Sequence, residues 1–103
     1  MERHLVDRLR CPYCLGGFSV DREAEADDRR IRWGLIRCGC FTFPIVDGVL
    51  LLSLAKGYGG SEEALQPYTA IQVAAIEFLG QGDVAGLRRW LARHAPLVAQ
   101  LID

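Results

Sequence analysis

The chain has 103 residues, twelve basic and thirteen acidic, and half of them are hydrophobic. That is globular rather than disordered composition, and it is too short for a complete dinucleotide-binding or methyltransferase sheet. A formal charge of −1 leaves no basic field to hold nucleic acid by phosphate contacts alone, so direct nucleic-acid binding is not expected.

The opening Met1-Glu2-Arg3-His4 lacks the apolar stretch of a signal peptide. Glu2–Leu9 places Leu5, Val6 and Leu9 on one helical face, which predicts a short first helix. Two tight cysteine pairs follow, Cys11-Pro12-Tyr13-Cys14 and Cys38-Gly39-Cys40. Paired thiolates at this spacing can face one ion, and the glycines after Cys14 let backbone amides turn toward sulfur. Four thiolates around one Zn²⁺ fill a tetrahedron and leave no open position, so the ion would be structural. The alternatives are two disulfides or a redox-active Cys-x-x-Cys, but no thioredoxin-like strand–helix context surrounds the first pair. Arg10 and Arg37, each just before a pair, would soften the site's negative charge. His4 is an alternative ligand, though a solvated or capping role is the expected one.

Between the pairs, Phe18–Val20 reads as a strand, and Asp21–Arg30, with five acids and three arginines, as a solvated loop or hairpin tip. Ile31–Arg37 alternates well enough for a half-buried strand. Phe41–Phe43 continues after the second pair. Asp47-Gly48 between apolar runs is a two-residue hairpin signal, and Pro44 argues for an edge strand because it cannot donate to a ladder. The run Val49–Leu52 is far shorter than the ~20 residues of a membrane span.

Composition changes after Ala55. Gly57-Tyr58-Gly59-Gly60 reads as a joint between a module at 1–56 and a helical segment at 61–103. Ser61 can cap a helix opening at Glu62, with Tyr68, Ile71, Ala75, Phe78 and Leu79 on its apolar face and Gly80-Gln81-Gly82 ending it. Asp83 can cap a second helix carrying Val84, Leu87, Trp90 and Leu91. Ala95-Pro96 starts a third with Leu97, Leu101 and Ile102. These helices must pack on the sheet, on a second copy in a homodimer, or on another protein. No catalytic constellation is evident: Ser19, Ser53 and Ser61 lack a nucleophile elbow, His4 and His94 stand alone, and the Gly57–Gly60 loop has no second βαβ unit around it.

The segments Leu9-Arg10-Cys11-Pro12-Tyr13-Cys14-Leu15-Gly16-Gly17, Ile31–Cys40 and Phe43-Pro44-Ile45-Val46-Asp47-Gly48-Val49 together resemble the zinc-ribbon activator family of methyltransferases. Members of that family are small subunits that support tRNA, rRNA and protein methyltransferases. Similar segments also stand alone in bacteria or precede S-adenosylmethionine-dependent methyltransferase domains. The resemblance spans residues 3–54. It implies that Cys11, Cys14, Cys38 and Cys40 hold zinc, and that the ribbon supports a methyltransferase without supplying catalytic groups.

The expected fold is therefore α+β: a small zinc-ribbon-like antiparallel module with a short N-terminal helix, followed by a helical segment. The expected protein is cytoplasmic, not an enzyme, and a partner of a methyltransferase. It would dock through Phe41, Phe43, Ile45, Val49 and Leu51, and secondarily through Ile71, Phe78 and Leu79. One alternative is a nucleic-acid-binding ribbon, with Arg29, Arg30, Arg32 and Arg37 on phosphate and Trp33 stacked on a base. Another is an adaptor whose helices bind an enzyme or a peptide substrate.

Overall fold

The computed structural model describes residues 1–52 and 62–101, with side chains in the second stretch from residue 70 onward. The fold is mixed α+β. In chain order its elements are α1 (Arg3–Val6), β1 (Ser19–Ala26), β2 (Ile31–Arg37), β3 (Thr42–Val46), β4 (Val49–Leu50), α2 (Glu62–Gly80), α3 (Val84–His94) and α4 (Pro96–Leu101). The strands form one antiparallel meander in the order β1-β2-β3-β4.

The charged stretch after Val20 is mostly strand, not loop. β1 runs to Ala26 and is exposed along almost its whole length. It is an edge strand, so its backbone pairs with β2 while its charged side chains stay in water. Its register breaks between Val20 and Arg22 and again on either side of Glu25, which twists the edge and blunts it against further pairing. One irregularity brings the β1 backbone onto β2. A Cβ on Gly34 would lie 2.4 Å from the Arg22 carbonyl oxygen, so only glycine fits there. The tip is confined to Asp27–Arg30, where one carboxylate oxygen of Asp27 accepts the amides of Arg29 and Arg30, each at 2.8 Å.

The β3–β4 turn is the hairpin that Asp47-Gly48 predicts. Both residues have positive φ, 48° and 83°, as a type I′ turn requires. Pro44, however, does not lie in an edge strand. It sits opposite Leu35 of β2, and its carbonyl accepts the amide of Leu51 at 3.0 Å. The proline nitrogen faces that same side and cannot return a bond to Leu51, and there the two-residue β4 ends.

The sheet separates two cores. On one face Trp33, Leu35 and Val46 meet Ile71, Ala74, Ala75 and Leu79 of α2 and Leu87 and Leu91 of α3. On the other, Ile36, Phe43 and Ile45 meet Val6 of α1, Phe18, Cys11 and Cys38. β2 is thus buried on both faces rather than one. The helical segment packs on the sheet, the first of its three options. Its punctuation follows the sequence: α2 stops at Gly80, Gly82 takes φ 72°, and the Asp83 carboxylate caps α3 through the Gly86 amide at 2.8 Å. Pro96 opens α4, where its missing N–H costs nothing. α1 is shorter than expected, burying Val6 but leaving Leu5 exposed. The glycines at 57–60 and the Ser61 cap lie outside the described residues.

Candidate metal centre

Each cysteine pair sits in a loop whose backbone is fixed by its own hydrogen bonds. In the first, the Cys11 amide donates to the Gly16 carbonyl at 2.9 Å, and the Leu15 amide donates to the Cys11 carbonyl at 2.8 Å. Closing this loop takes Leu15 to φ 61° and brings Gly16 against Cys14, where a Cβ would stand 3.3 Å from Sγ. The Tyr13 amide points at Cys11 Sγ from 3.4 Å. In the second loop the Cys38 amide donates to the Phe41 carbonyl at 3.0 Å, and the Cys40 amide points at Cys38 Sγ from 3.4 Å. Amides aimed at sulfur stabilise the thiolate over the thiol.

The two loops meet. Cys40 Sγ is 3.2 Å from Cys38 Sγ and 3.5 Å from Cys11 Sγ, and all four sulfurs lie within 4.8 Å of one another. Ligands about 2.3 Å from a tetrahedral ion are about 3.8 Å apart, so the set has the size of a four-sulfur site. Cys11 and Cys38 form its buried wall, whereas Cys14 and Cys40 face solvent. None of the four is joined in a disulfide. The single-residue spacing of the second pair therefore brings Cys40 into the cluster.

Ionisation is shared unevenly. Burial pushes the Cys38 thiol up, but the Cys40 amide and thiol, with help from Phe41 and Cys11, outweigh it and bring Cys38 down to about 6. Cys40 moves the other way, chiefly because its hydrogen is shared with Cys38. A divalent cation resolves that competition by displacing the protons.

An aromatic cluster braces the site from below. Phe43 is stacked with Tyr13 at 6.3 Å, edge-on to Phe18 at 6.0 Å and tilted against Phe41 at 6.2 Å. The Tyr13 hydroxyl donates to the Leu52 carbonyl at 2.8 Å, tying the first loop to the chain beyond β4. Arg10 and Arg37 do not contact the sulfurs. Arg10 donates to the carbonyls of Asp7 and Leu9, and Arg37 pairs with Asp21 at 3.8 Å. His4 lies 3.5 Å from Glu2 and outside the cluster.

The expected docking residues divide into two groups. Phe41 and Val49 are exposed, at 52% and 60%, and Leu51 and Phe78 are half-buried. Phe43, Ile45, Ile71 and Leu79 are buried in the chain's own cores, because the helices cover one face of the sheet and the cysteine loops cover the other. Those four cannot present a surface to a partner. Trp33 is also fully buried, under α3 with the Arg88 guanidinium 5.5 Å above its ring, so it cannot stack on a base.

Sequence reasoning left α4 without a place. Leu97 and Leu101 remain 76% and 82% exposed, and an apolar groove of about 200 Å³ runs between Val49, Leu51, Ile71, Val98 and Leu101. The signal was present in the chain, since a helix of six residues is too short to bury every apolar side chain it carries.

No helix among the described residues is long and apolar enough to cross a membrane. The four cysteines can hold one structural metal ion. Neither the family models nor the curated proteins compared with the chain gave a match.

Proposed function

We propose that the chain is a non-catalytic, zinc-stapled partner of an S-adenosylmethionine-dependent methyltransferase. It would act as an activating or stabilising cytoplasmic subunit, or as the N-terminal domain of such an enzyme in detached form. One observation carries the reading: the four-sulfur cluster stands beside a β3–turn–β4 hairpin built from Phe43-Pro44-Ile45-Val46-Asp47-Gly48-Val49. That pairing is the one the resemblance to the zinc-ribbon activators rests on. With all four positions taken by sulfur, the zinc has no room for water or substrate, and its role is to hold the loops together.

Docking on the folded form of an enzyme stabilises that form by mass action. The groove between the β3–β4 turn and α4 supplies the surface, with Val49, Leu51, Val98 and Leu101 at its rim. The buried Phe43 and Ile45 serve it indirectly, by fixing the hairpin that presents Val49.

The test is affinity purification of the tagged chain from its own cells, without chelator, alongside Val49→Asp. Val49 is exposed, so the variant keeps its fold, which circular dichroism checks. A stoichiometric methyltransferase with the wild-type chain, lost from Val49→Asp, is the expected result. Recovery of the wild-type chain alone, as a monomer or a homodimer, contradicts the partner reading. Retention of the enzyme by Val49→Asp contradicts the surface.

A further inference from the structure

The near-zero net charge conceals an asymmetry. Val84–Leu101 carries Arg88, Arg89 and Arg93 and no acid, while the rest of the chain holds nine basic and thirteen acidic residues. Arg88 is turned inward over Trp33. Arg89 and Arg93, one turn apart, are exposed and pair with no acid among the described residues. Asp83, the nearest acid in sequence, is spent on the Gly86 amide.

These arginines border a groove of about 390 Å³ between the end of α2 and the outer face of α3. Its remaining lining includes Phe78, Gly86, Trp90 and His94. Gly86 lines it without a side chain: a Cβ there would meet the Asp83 carboxylate first and stand 2.9 Å from the Phe78 ring. The Trp90 and His94 rings lie stacked, with centroids 4.6 Å apart and planes 20° apart. His94 is held in that pose by its Nδ1, 3.0 Å from the Trp90 carbonyl. An aromatic platform flanked by two guanidinium groups that pair with no acid among the described residues is the arrangement that takes a base by stacking and its flanking phosphates by charge.

The geometry points to single-stranded nucleic acid as the occupant of this groove, with a base on the Trp90–His94 platform and phosphates on Arg89 and Arg93. An acidic peptide would satisfy the arginines equally but has no use for the stacked rings. The inference is independent of the methyltransferase reading and uses none of its proposed contact residues except Phe78, which belonged only to the sequence-based expectation.

The test is fluorescence anisotropy of labelled ten-nucleotide RNA and DNA strands titrated with the full zinc-loaded chain at 50 mM salt. Saturable binding is expected, weakening by roughly tenfold on raising salt to 200 mM, as two or three released counterions require. Arg89→Glu/Arg93→Glu, both at exposed positions, should abolish binding without altering the circular dichroism spectrum. His94→Ala should weaken it by about tenfold, the loss of part of a stacking platform. Arg29→Glu/Arg30→Glu at the β1–β2 tip should bind as the wild type does. Absence of binding at 50 mM salt, binding unaffected by the Arg89/Arg93 pair, or full displacement of the strand by an equal concentration of a ten-residue polyglutamate would overturn the proposal.

Discussion

With the proposed zinc bound by the four cysteines, removing it should be the most damaging single perturbation this chain can suffer. The core on the cysteine side of the sheet is assembled from Val6, Phe18, Ile31, Ile36, Phe43 and Ile45 together with Cys11 and Cys38 themselves. The loops that complete it meet at the cysteine cluster, whose sulfurs are packed as close as 3.2 Å. Structural zinc supplies about 10–16 kcal/mol of apparent folding free energy in small modules. A domain of this size has a total stability of about 5–15 kcal/mol. The loss therefore equals or exceeds everything available, and the metal-free chain should show no cooperative thermal transition above room temperature. The assay is thermal denaturation followed by near-ultraviolet circular dichroism, before and after exhaustive chelation under reducing conditions, with metal content measured on the same samples. Hydrogen exchange should lose protection first at residues 10–18 and 38–43. A verified metal-free protein melting within a few degrees of the zinc-loaded form would refute the reasoning.

Three smaller predictions follow from single residues. Gly34→Ala forces a methyl against the Arg22 carbonyl and should cost about 1–3 kcal/mol, in the range of overpacked sites, read as a fall in Tm of roughly 10 °C; an unchanged Tm would contradict the close approach of β1 to β2. Asp83→Ala removes the α3 cap and should cost about 1 kcal/mol in urea denaturation, whereas Asp83→Asn should recover most of it. The Asp27 carboxyl is held below its ordinary 3.8 by the amides of Arg30 and Arg29, its largest influences. Because the folded-state value is the lower one, the stability that wild type holds over Asp27→Ala should be fully present above pH 3.8 and vanish as pH falls through the folded value. A gap that widened with acid would reverse the sign of the argument.

What the chain revealed in advance was its local chemistry. Asp47-Gly48, Gly82, Asp83 and Pro96 each act through backbone preferences that hold in any surroundings, and all four stand where their residue types demand. The cysteines were legible for the same reason, since thiolate pairs at short spacing have few other uses. Exposure was not legible. Phe43, Ile45 and Leu79 are apolar on a strand or helix face, a pattern equally suited to a partner and to the chain's own second layer. Only the docking of α2 and α3 on the sheet decided between them. Trp33 stacked on a base was only the alternative reading, and α3 covers that residue. The continuation of β1 past Val20 was hidden because an exposed edge strand needs no apolar side chains, and its charges looked like those of a loop. Pro44 misled because its missing N–H falls where the β4 pairing stops, inside the sheet rather than at its edge.

The central claim, that four thiolates and one zinc ion hold this module together, is tested most directly by native mass spectrometry of the chain purified without chelator. Alkylation of its cysteines in the native state is measured beside it. The account predicts one zinc per chain, with Cys11, Cys14, Cys38 and Cys40 resistant to alkylation until the metal is removed. A folded chain without metal, or one carrying two disulfides, would contradict it.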